Sequence, residues 1–123
     1  MPAASTPITP APRLPRVLGR DALPEGVCLR LEVPADLAWF DGHFPGAPIL
    51  PGVAQVGWAV TFAREHFGLG GDPKIIDRVK FLHTARPGSQ LELELVRKGG
   101  QIVWQLHEAA TLLSRGRLEF DAA

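Results

Sequence analysis

The sequence predicts an α+β domain in which a curled antiparallel sheet wraps around one long central helix. Three features lead to this fold class: one long apolar segment with helical spacing, several short segments in which apolar and polar residues alternate, and turn residues between them. A chain of 123 residues is the usual size of a single domain and can bury a substantial core.

The first alternating segment covers residues 27–33. Its odd-numbered positions are apolar and point to one side, its even-numbered positions are mostly polar, and Pro34 follows. This period of two predicts a half-buried strand that ends before the proline. Residues 35–50 show neither helical nor strand periodicity, and three prolines stiffen their second half.

Residues 51–67 form the only convincing long helix. Pro51 stands where a first-turn proline is tolerated, and Gly68 follows the last apolar residue as a stop signal. Two apolar stripes cover more than half of the cylinder, so the helix must be covered on several sides. The stripes consist of Val53, Val56, Val60, Ala63 and Phe67, and of Ala54, Trp58 and Phe62.

Four further strands are predicted after the loop 68–73, near residues 75–81, 91–95, 102–106 and 118–120. Residues 86–89 are typical of a turn, and residues 98–101 of a tight hairpin. Five strands leave an exposed sheet edge, so pairing with a second copy, a homodimer, is expected.

Half of the prolines lie in the first 24 residues, and residues 1–16 are predicted to form a disordered Pro/Ala-rich arm before a single domain at 17–123. Thirteen basic residues balance thirteen acidic ones, which argues against a broad grip on nucleic acid. Cys28 is the lone cysteine, and no residues have metal-ligand spacing, so no metal and no cofactor is expected. No apolar run is long enough to span a membrane or to act as a leader, which favours a cytoplasmic protein.

The most informative segment runs from Asp41 to Val53 and reads DGHFPGAPILPGV. It resembles the loop G-H-F-P-G-x-P-x-x-P-G-V of the hotdog-fold 3-hydroxyacyl thioester dehydratases over twelve positions without a gap. The order of the flanking strands agrees over about residues 26–121. The continuations at 55–58 and 78–81 are most similar to the small dehydratase-like proteins of aryl-polyene and related pigment pathways. The resemblance implies the hotdog fold and removal of water from a 3-hydroxyacyl thioester to give a 2-enoyl thioester.

Chemistry gives each part of this segment a role. His43 is the natural catalytic base, because imidazole titrates near neutral pH and a proline-stiffened loop holds it in place. Backbone amides at the start of the helix can meet the thioester oxygen, and the acyl chain is expected to run along the apolar helix. The predicted substrate-binding residues are Phe44, Gly46, Gly52, Val53 and Gly57.

The sequence departs from this dehydratase pattern at one position. In the family a carboxylate follows the histidine by fourteen positions and acts as the acid, and here that position is Gly57. Thr61 and Arg64 share its helix face, but neither is a carboxylic acid, and Gln55 should point elsewhere. The nearest carboxylate in sequence is Asp41.

Three functions therefore remain open. The chain is an active 3-hydroxyacyl-[acyl-carrier-protein] dehydratase, a catalytically incomplete acyl-binding or heterodimer subunit that pairs with another hotdog subunit, or an acyl-thioester hydrolase. The expected substrate carrier is acyl carrier protein or coenzyme A. An acidic carrier protein needs a basic patch, for which Arg78, Lys80 and Arg86 are the candidates. The remaining histidines, His66, His83 and His107, are expected to be solvated rather than catalytic.

Overall fold

A computed structural model describes residues 13–36 and 49–121. Within these ranges the chain forms six strands and one helix, and every paired strand is antiparallel to its neighbour. In chain order the elements are β1 (Arg16–Leu23), β2 (Gly26–Glu32), α1 (Gly52–Phe67), β3 (Ile75–Phe81), β4 (Gln90–Lys98), β5 (Gln101–Glu108) and β6 (Thr111–Glu119). The strands form one sheet in the order β1-β2-β4-β5-β6-β3, so β1 and β3 are its edges.

The core lies between the helix and the inner face of the sheet, the face that is turned toward α1. Alternate residues of β2, β4, β5 and β6 are buried there against one face of the helix. The largest fully buried side chains are Trp58, Trp104 and nine leucines. This arrangement confirms the predicted α+β fold, because the alternating strands curl around the one long helix.

The predicted helix agrees with the structure to within one residue. Pro51 is its N-cap in an extended conformation, and Gly68 ends it with a left-handed φ of 66°. The prediction of two apolar stripes is partly wrong, because Val53 is 66% exposed while Gln55 is buried. The buried face consists of Ala54, Gln55, Trp58, Ala59, Phe62 and Ala63.

The sheet has one strand more than predicted among the described residues. β1 pairs with β2 over its whole length, but six of its eight residues are exposed, so its sequence carries no alternation that could reveal it. The described end of the predicted arm packs onto the domain. Pro15 is buried, and the carbonyl of Arg13 accepts a hydrogen bond of 2.9 Å from the indole N–H of Trp58.

Both predicted turns are confirmed. The hairpin between β4 and β5 turns at Gly99 and Gly100, and Gly99 takes a positive φ of 60°. In the turn before β4, the amide of Ser89 donates to the carbonyl of Arg86 at 3.0 Å. No helix in the described ranges has the length and apolar character needed to cross a membrane.

Candidate active site at the start of the helix

The structure describes half of the predicted site. Gly52, Val53 and Gly57 lie on α1, whereas His43, Phe44 and Gly46 lie outside the described residues. The same holds for Asp41, so the role of the Asp41–Gly46 segment stays a prediction. The described part of the site is the first two turns of the helix and the strand that covers them.

The first turn of α1 presents backbone amides that have no acceptor among the described residues. The amides of Ala54 and Gln55 both reach the carbonyl of Pro51, at 3.1 and 3.3 Å. No hydrogen bond between described residues uses the amides of Gly52 or Val53. The first turn also holds no acidic residue, so the positive end of the helix dipole is not compensated within it. This geometry suits an oxygen that gains negative charge during a reaction.

Val53 and Gly57 lie one helical turn apart on a face that the described chain does not cover. Val53 is largely exposed, and a Cβ placed on Gly57 meets no atom within 4 Å. Both residues are unfavourable on a solvated helix face, because the valine exposes apolar surface to water and glycine has a low helix propensity. The open space beside Gly57 can hold a substrate or part of a second protein chain.

No helix carboxylate faces this space. The only acidic residue of α1 is Glu65, and its carboxylate pairs with Arg20 of β1 at 3.3 Å, toward the other edge of the sheet. On the face of Gly57, Arg64 pairs with Asp72 at 3.7 Å, and Thr61 is half-buried. The described helix therefore offers no general acid of its own at this position.

Phe81 closes one side of the helix start. Its ring lies against Gly52, where an added Cβ would come within 2.8 Å of the ring. Phe81 is the last residue of β3 and is 52% exposed. Gly52 thus permits the close approach of an aromatic side chain to the start of the helix, in addition to its predicted part in substrate binding.

Gln55 is a polar residue whose burial the sequence analysis did not predict. Its side chain is only 2% exposed on the core face of α1, and its Oε1 has no hydrogen-bond partner among the described residues. A buried amide oxygen without a partner is unfavourable, so it is a candidate for holding a polar group near the start of the helix. The only sequence signal was a glutamine within an otherwise apolar helix face.

The other reactive side chains lie elsewhere. His66 and His83 are exposed, and His107 is half-buried with its Nε2 3.3 Å from Oε1 of Gln105. Cys28 lies on the outer sheet face, where partial burial and the nearby Glu92 raise the pKa of its thiol. A raised pKa leaves less of the reactive thiolate at neutral pH, so Cys28 is a poor candidate for a nucleophile.

Two of the three predicted basic residues meet on the outer face of the sheet. Arg78 and Lys80 line a groove of about 550 Å³ together with residues of β4, β5 and β6. Arg86 does not line this groove, since it belongs to the turn before β4. Within residues 13–36 and 49–121, no three histidine, cysteine or carboxylate side chains are placed to hold a metal ion.

Residues 21–117 match the ApeI-like family, described as ApeI dehydratase. This match covers well over half of the chain. The chain belongs to the ApeI-like dehydratase family. The predicted resemblance to hotdog-fold dehydratases is thereby confirmed.

Two solved structures resemble this ApeI-like protein over most of its length. One is the dehydratase heterocomplex ApeI:P from Xenorhabdus doucetiae, with a TM-score of 0.78, 28% identity, and coverage of 85% of this chain and 96% of that chain. The other is an uncharacterized protein from Erwinia carotovora subsp. atroseptica, with a TM-score of 0.70, 34% identity, and coverage of 85% and 94%. The likeness confirms the predicted hotdog fold.

Among curated proteins, the 3-hydroxyacyl-[acyl-carrier-protein] dehydratase FabZ of Sorangium cellulosum is 35% identical over 85 residues. The aligned part is 60% of this chain and 54% of that protein. The chain spans about half the length of the curated relatives it matches. These relatives are all named as 3-hydroxyacyl-[acyl-carrier-protein] dehydratases.

Proposed function

We propose that this ApeI-like protein removes water from 3-hydroxyacyl thioesters to give 2-enoyl thioesters. The observation that carries the proposal is the start of α1, where the amides of Gly52 and Val53 have no acceptor among the described residues and lie six and seven residues after the end of the G-H-F-P-G motif. Relatives named as 3-hydroxyacyl-[acyl-carrier-protein] dehydratases support the same chemistry. The substrate is carried by acyl carrier protein or by coenzyme A.

Each group then has a defined task. His43 takes the weakly acidic α-proton of the substrate, and the amides of Gly52 and Val53 donate hydrogen bonds to the thioester oxygen as negative charge develops there. The departing hydroxide needs a proton, which turns it into water. Because no helix carboxylate stands at Gly57, the open space beside it must admit water or an acid from a second chain.

Specific observations favour a second candidate function, that of one subunit in a heterodimer. The site lacks a helix acid, and a related solved structure is named as a heterocomplex. In this arrangement the partner hotdog subunit provides the missing acid, and this chain provides the base and the amides.

The surface along β3 is suited to pairing with a second copy of this chain or with a different hotdog subunit. β3 is an edge strand, and its exposed apolar residues Ile75, Ile76 and Phe81 leave an apolar margin without cover in the described chain. Pairing of β3 with a second hotdog chain extends the sheet and covers this margin. We propose a cytoplasmic homodimer, or a heterodimer if the partner differs.

The deciding experiment incubates the protein with 3-hydroxyacyl and 2-enoyl thioesters of acyl carrier protein and follows gain or loss of one water by mass spectrometry. An active dehydratase converts both substrates to the same equilibrium mixture with the thioester intact, and His43→Ala abolishes the conversion. Unchanged rates in His43→Ala would remove this histidine from the mechanism.

Two other results select the alternatives. Release of free thiol without a change in hydration identifies an acyl-thioester hydrolase. Absence of turnover by the chain alone, with turnover after mixing with a second hotdog subunit, identifies the incomplete subunit. A well-folded chain that is inactive in every combination contradicts the proposed chemistry.

A further inference from the structure

We propose that the cationic groove on the outer face of the sheet, across β3, β6 and the β4–β5 hairpin, is the docking surface for the acidic face of the acyl carrier protein. The inference rests on the proposed function, since it assigns a surface to the carrier that brings the substrate. The groove residues that matter are Arg78, Lys80, Lys98 and Arg115, which are all exposed and all line the groove.

The pairing of Lys80 with Arg115 is the main observation. The two residues are direct cross-strand partners in β3 and β6, so two positive charges stand opposite each other on one face. Like charges in this position are destabilising. No carboxylate of the described residues lies within ion-pair distance of either one. The fold therefore tolerates a local loss of stability that an anionic partner would reverse.

The neighbouring positions show what a purely structural solution looks like. One register step away, Arg117 forms a two-point ion pair with Asp77, with N–O distances of 2.8 and 2.6 Å, and also donates to Gln101 at 3.2 Å. Lys74 likewise pairs with Glu119 at 3.6 Å. The cations beside the first residues of β3, including the groove residue Arg117, are thus neutralised, whereas Lys80 and Arg115 farther along the groove form no ion pair with a described carboxylate.

The remaining two cations, Arg78 and Lys98, also form no ion pair with a carboxylate of the described residues. Arg78 has a positive φ of 55° at the irregularity in β3, and the carboxylate of the preceding residue, Asp77, is already paired with Arg117. Lys98 closes the far side at the β4–β5 hairpin. Glu94 is the acidic residue bordering that side, and it lines the adjoining depression rather than the groove. Since the whole chain has zero net charge, this concentration of cations does not reflect a basic composition.

The dimensions favour a protein over a single phosphate group. The cations are distributed from β3 to β4, which are three strand spacings apart, or about 14 Å. A helix with its side chains is about 10–12 Å across, so a helix with carboxylates along one side can contact both margins. The groove also lies on a face of the sheet, so edge pairing along β3 leaves it accessible. Its margin residue Lys80 directly precedes Phe81, which lies against the start of α1.

The test compares a carrier-borne substrate with the same acyl group on N-acetylcysteamine, a small neutral thiol. Lys80→Glu/Arg115→Glu is expected to raise KM for the acyl carrier protein substrate at least tenfold and to leave kcat/KM for the small thioester within twofold of wild type. Arg86→Glu reverses an exposed charge outside the groove and is the control for the groove charge reversals; it is expected to change neither value by more than twofold.

The melting temperature provides an independent test of the role of Arg115. Arg115→Glu places a carboxylate opposite Lys80, so its melting temperature is expected to equal or exceed that of wild type while carrier binding weakens. A purely structural role for Arg115 predicts the opposite, a lower melting temperature. Binding of holo acyl carrier protein, measured by surface plasmon resonance at two salt concentrations, gives the same comparison without turnover.

The outcomes separate the two proposals. If groove variants lose carrier binding but wild type exchanges no water in any substrate, the docking surface stands and the proposed reaction fails. If wild type dehydrates the carrier substrate and the groove variants bind the carrier as tightly as wild type, the docking surface is refuted. Equal loss with Arg86→Glu also refutes it, and so does an equal loss for the coenzyme A thioester, which would assign the groove to phosphate groups.

Discussion

The ring of Phe81 rests on Gly52, so the last residue of an edge strand covers the first turn of the only helix in the described chain. This contact joins β3, which carries the exposed apolar margin, to the backbone amides of the proposed site. It also explains why a residue without a side chain stands at the start of α1.

The two helix glycines provide a matched pair of substitutions. Gly52→Ala places a methyl group against Phe81 and is expected to lower the free energy of unfolding by about 1 kcal/mol. Gly57→Ala enters open space and is expected to raise it by about 1 kcal/mol, because alanine is the better helix former. Chemical denaturation measures both. In a Phe81→Ala background the loss from Gly52→Ala should disappear, and a persistent loss would show that the ring is not its cause.

Gly57→Glu tests whether the site lacks only its acid. The space beside Gly57 accepts the longer side chain, and a general acid contributes about 10²–10⁴-fold to rate. We expect at least a tenfold gain in dehydratase turnover, measured by mass spectrometry of the acyl carrier thioester. Gly57→Gln, which has the same size and no ionisable proton, is the control and should show no gain. A folded Gly57→Glu protein with unchanged turnover argues against this site geometry.

The ion pair between Asp77 and Arg117 makes stability depend on pH. The hydrogen bonds from Arg117 hold the pKa of the Asp77 carboxyl below its usual value. The carboxylate therefore stabilises the fold fully above the ordinary aspartate pKa of about 3.9, and this contribution is lost as pH falls through the lower folded value. The unfolding free energies of wild type and Asp77→Asn should differ most near pH 7 and converge in acid. Asp36→Asn, which removes an exposed carboxyl, is the control, and an equal pH dependence in that variant would show that the ion pair is not the cause.

Ile76 tests the partner proposed for β3. It is 44% exposed on the apolar margin of the edge strand. Ile76→Lys is expected to raise the dissociation constant of the dimer at least tenfold, since a charge at this margin opposes edge pairing. Native mass spectrometry over a concentration series measures the change. Leu18→Lys makes the same type of substitution on the opposite edge strand and should leave the dimer intact. An unchanged dimer in Ile76→Lys would place the interface elsewhere.

The central part of the fold could be predicted from the sequence because burial on one face imposes a period of two. Leu91, Leu93 and Leu95 alternate with charged residues, and the structure buries all three. β1 could not be predicted because its residues are exposed on both faces, so pairing with β2 and not side-chain burial fixes its conformation. Edge strands of this kind carry little information in a single sequence.

For the site, the sequence predicted the start of the helix but not the orientation of its side chains. The assumption that apolar residues face the core failed at Val53, and it failed in the other direction at Gln55. Both departures occur in the first turn, beside the proposed site. Apolar spacing predicts side-chain orientation correctly when the chain itself covers the apolar face of the helix, and the described residues cover α1 only in part.

The hydrogen bond from Trp58 to the carbonyl of Arg13 has a practical consequence for shortened versions of the protein. A chain that starts at Pro15 would leave the indole N–H of the buried Trp58 without this acceptor. Removal of the proline-rich arm up to that residue would therefore destabilise α1, the helix that carries Trp58. Since the emission of an indole responds to its hydrogen bonding, fluorescence from Trp58 also reports loss of the contact between this helix and the arm.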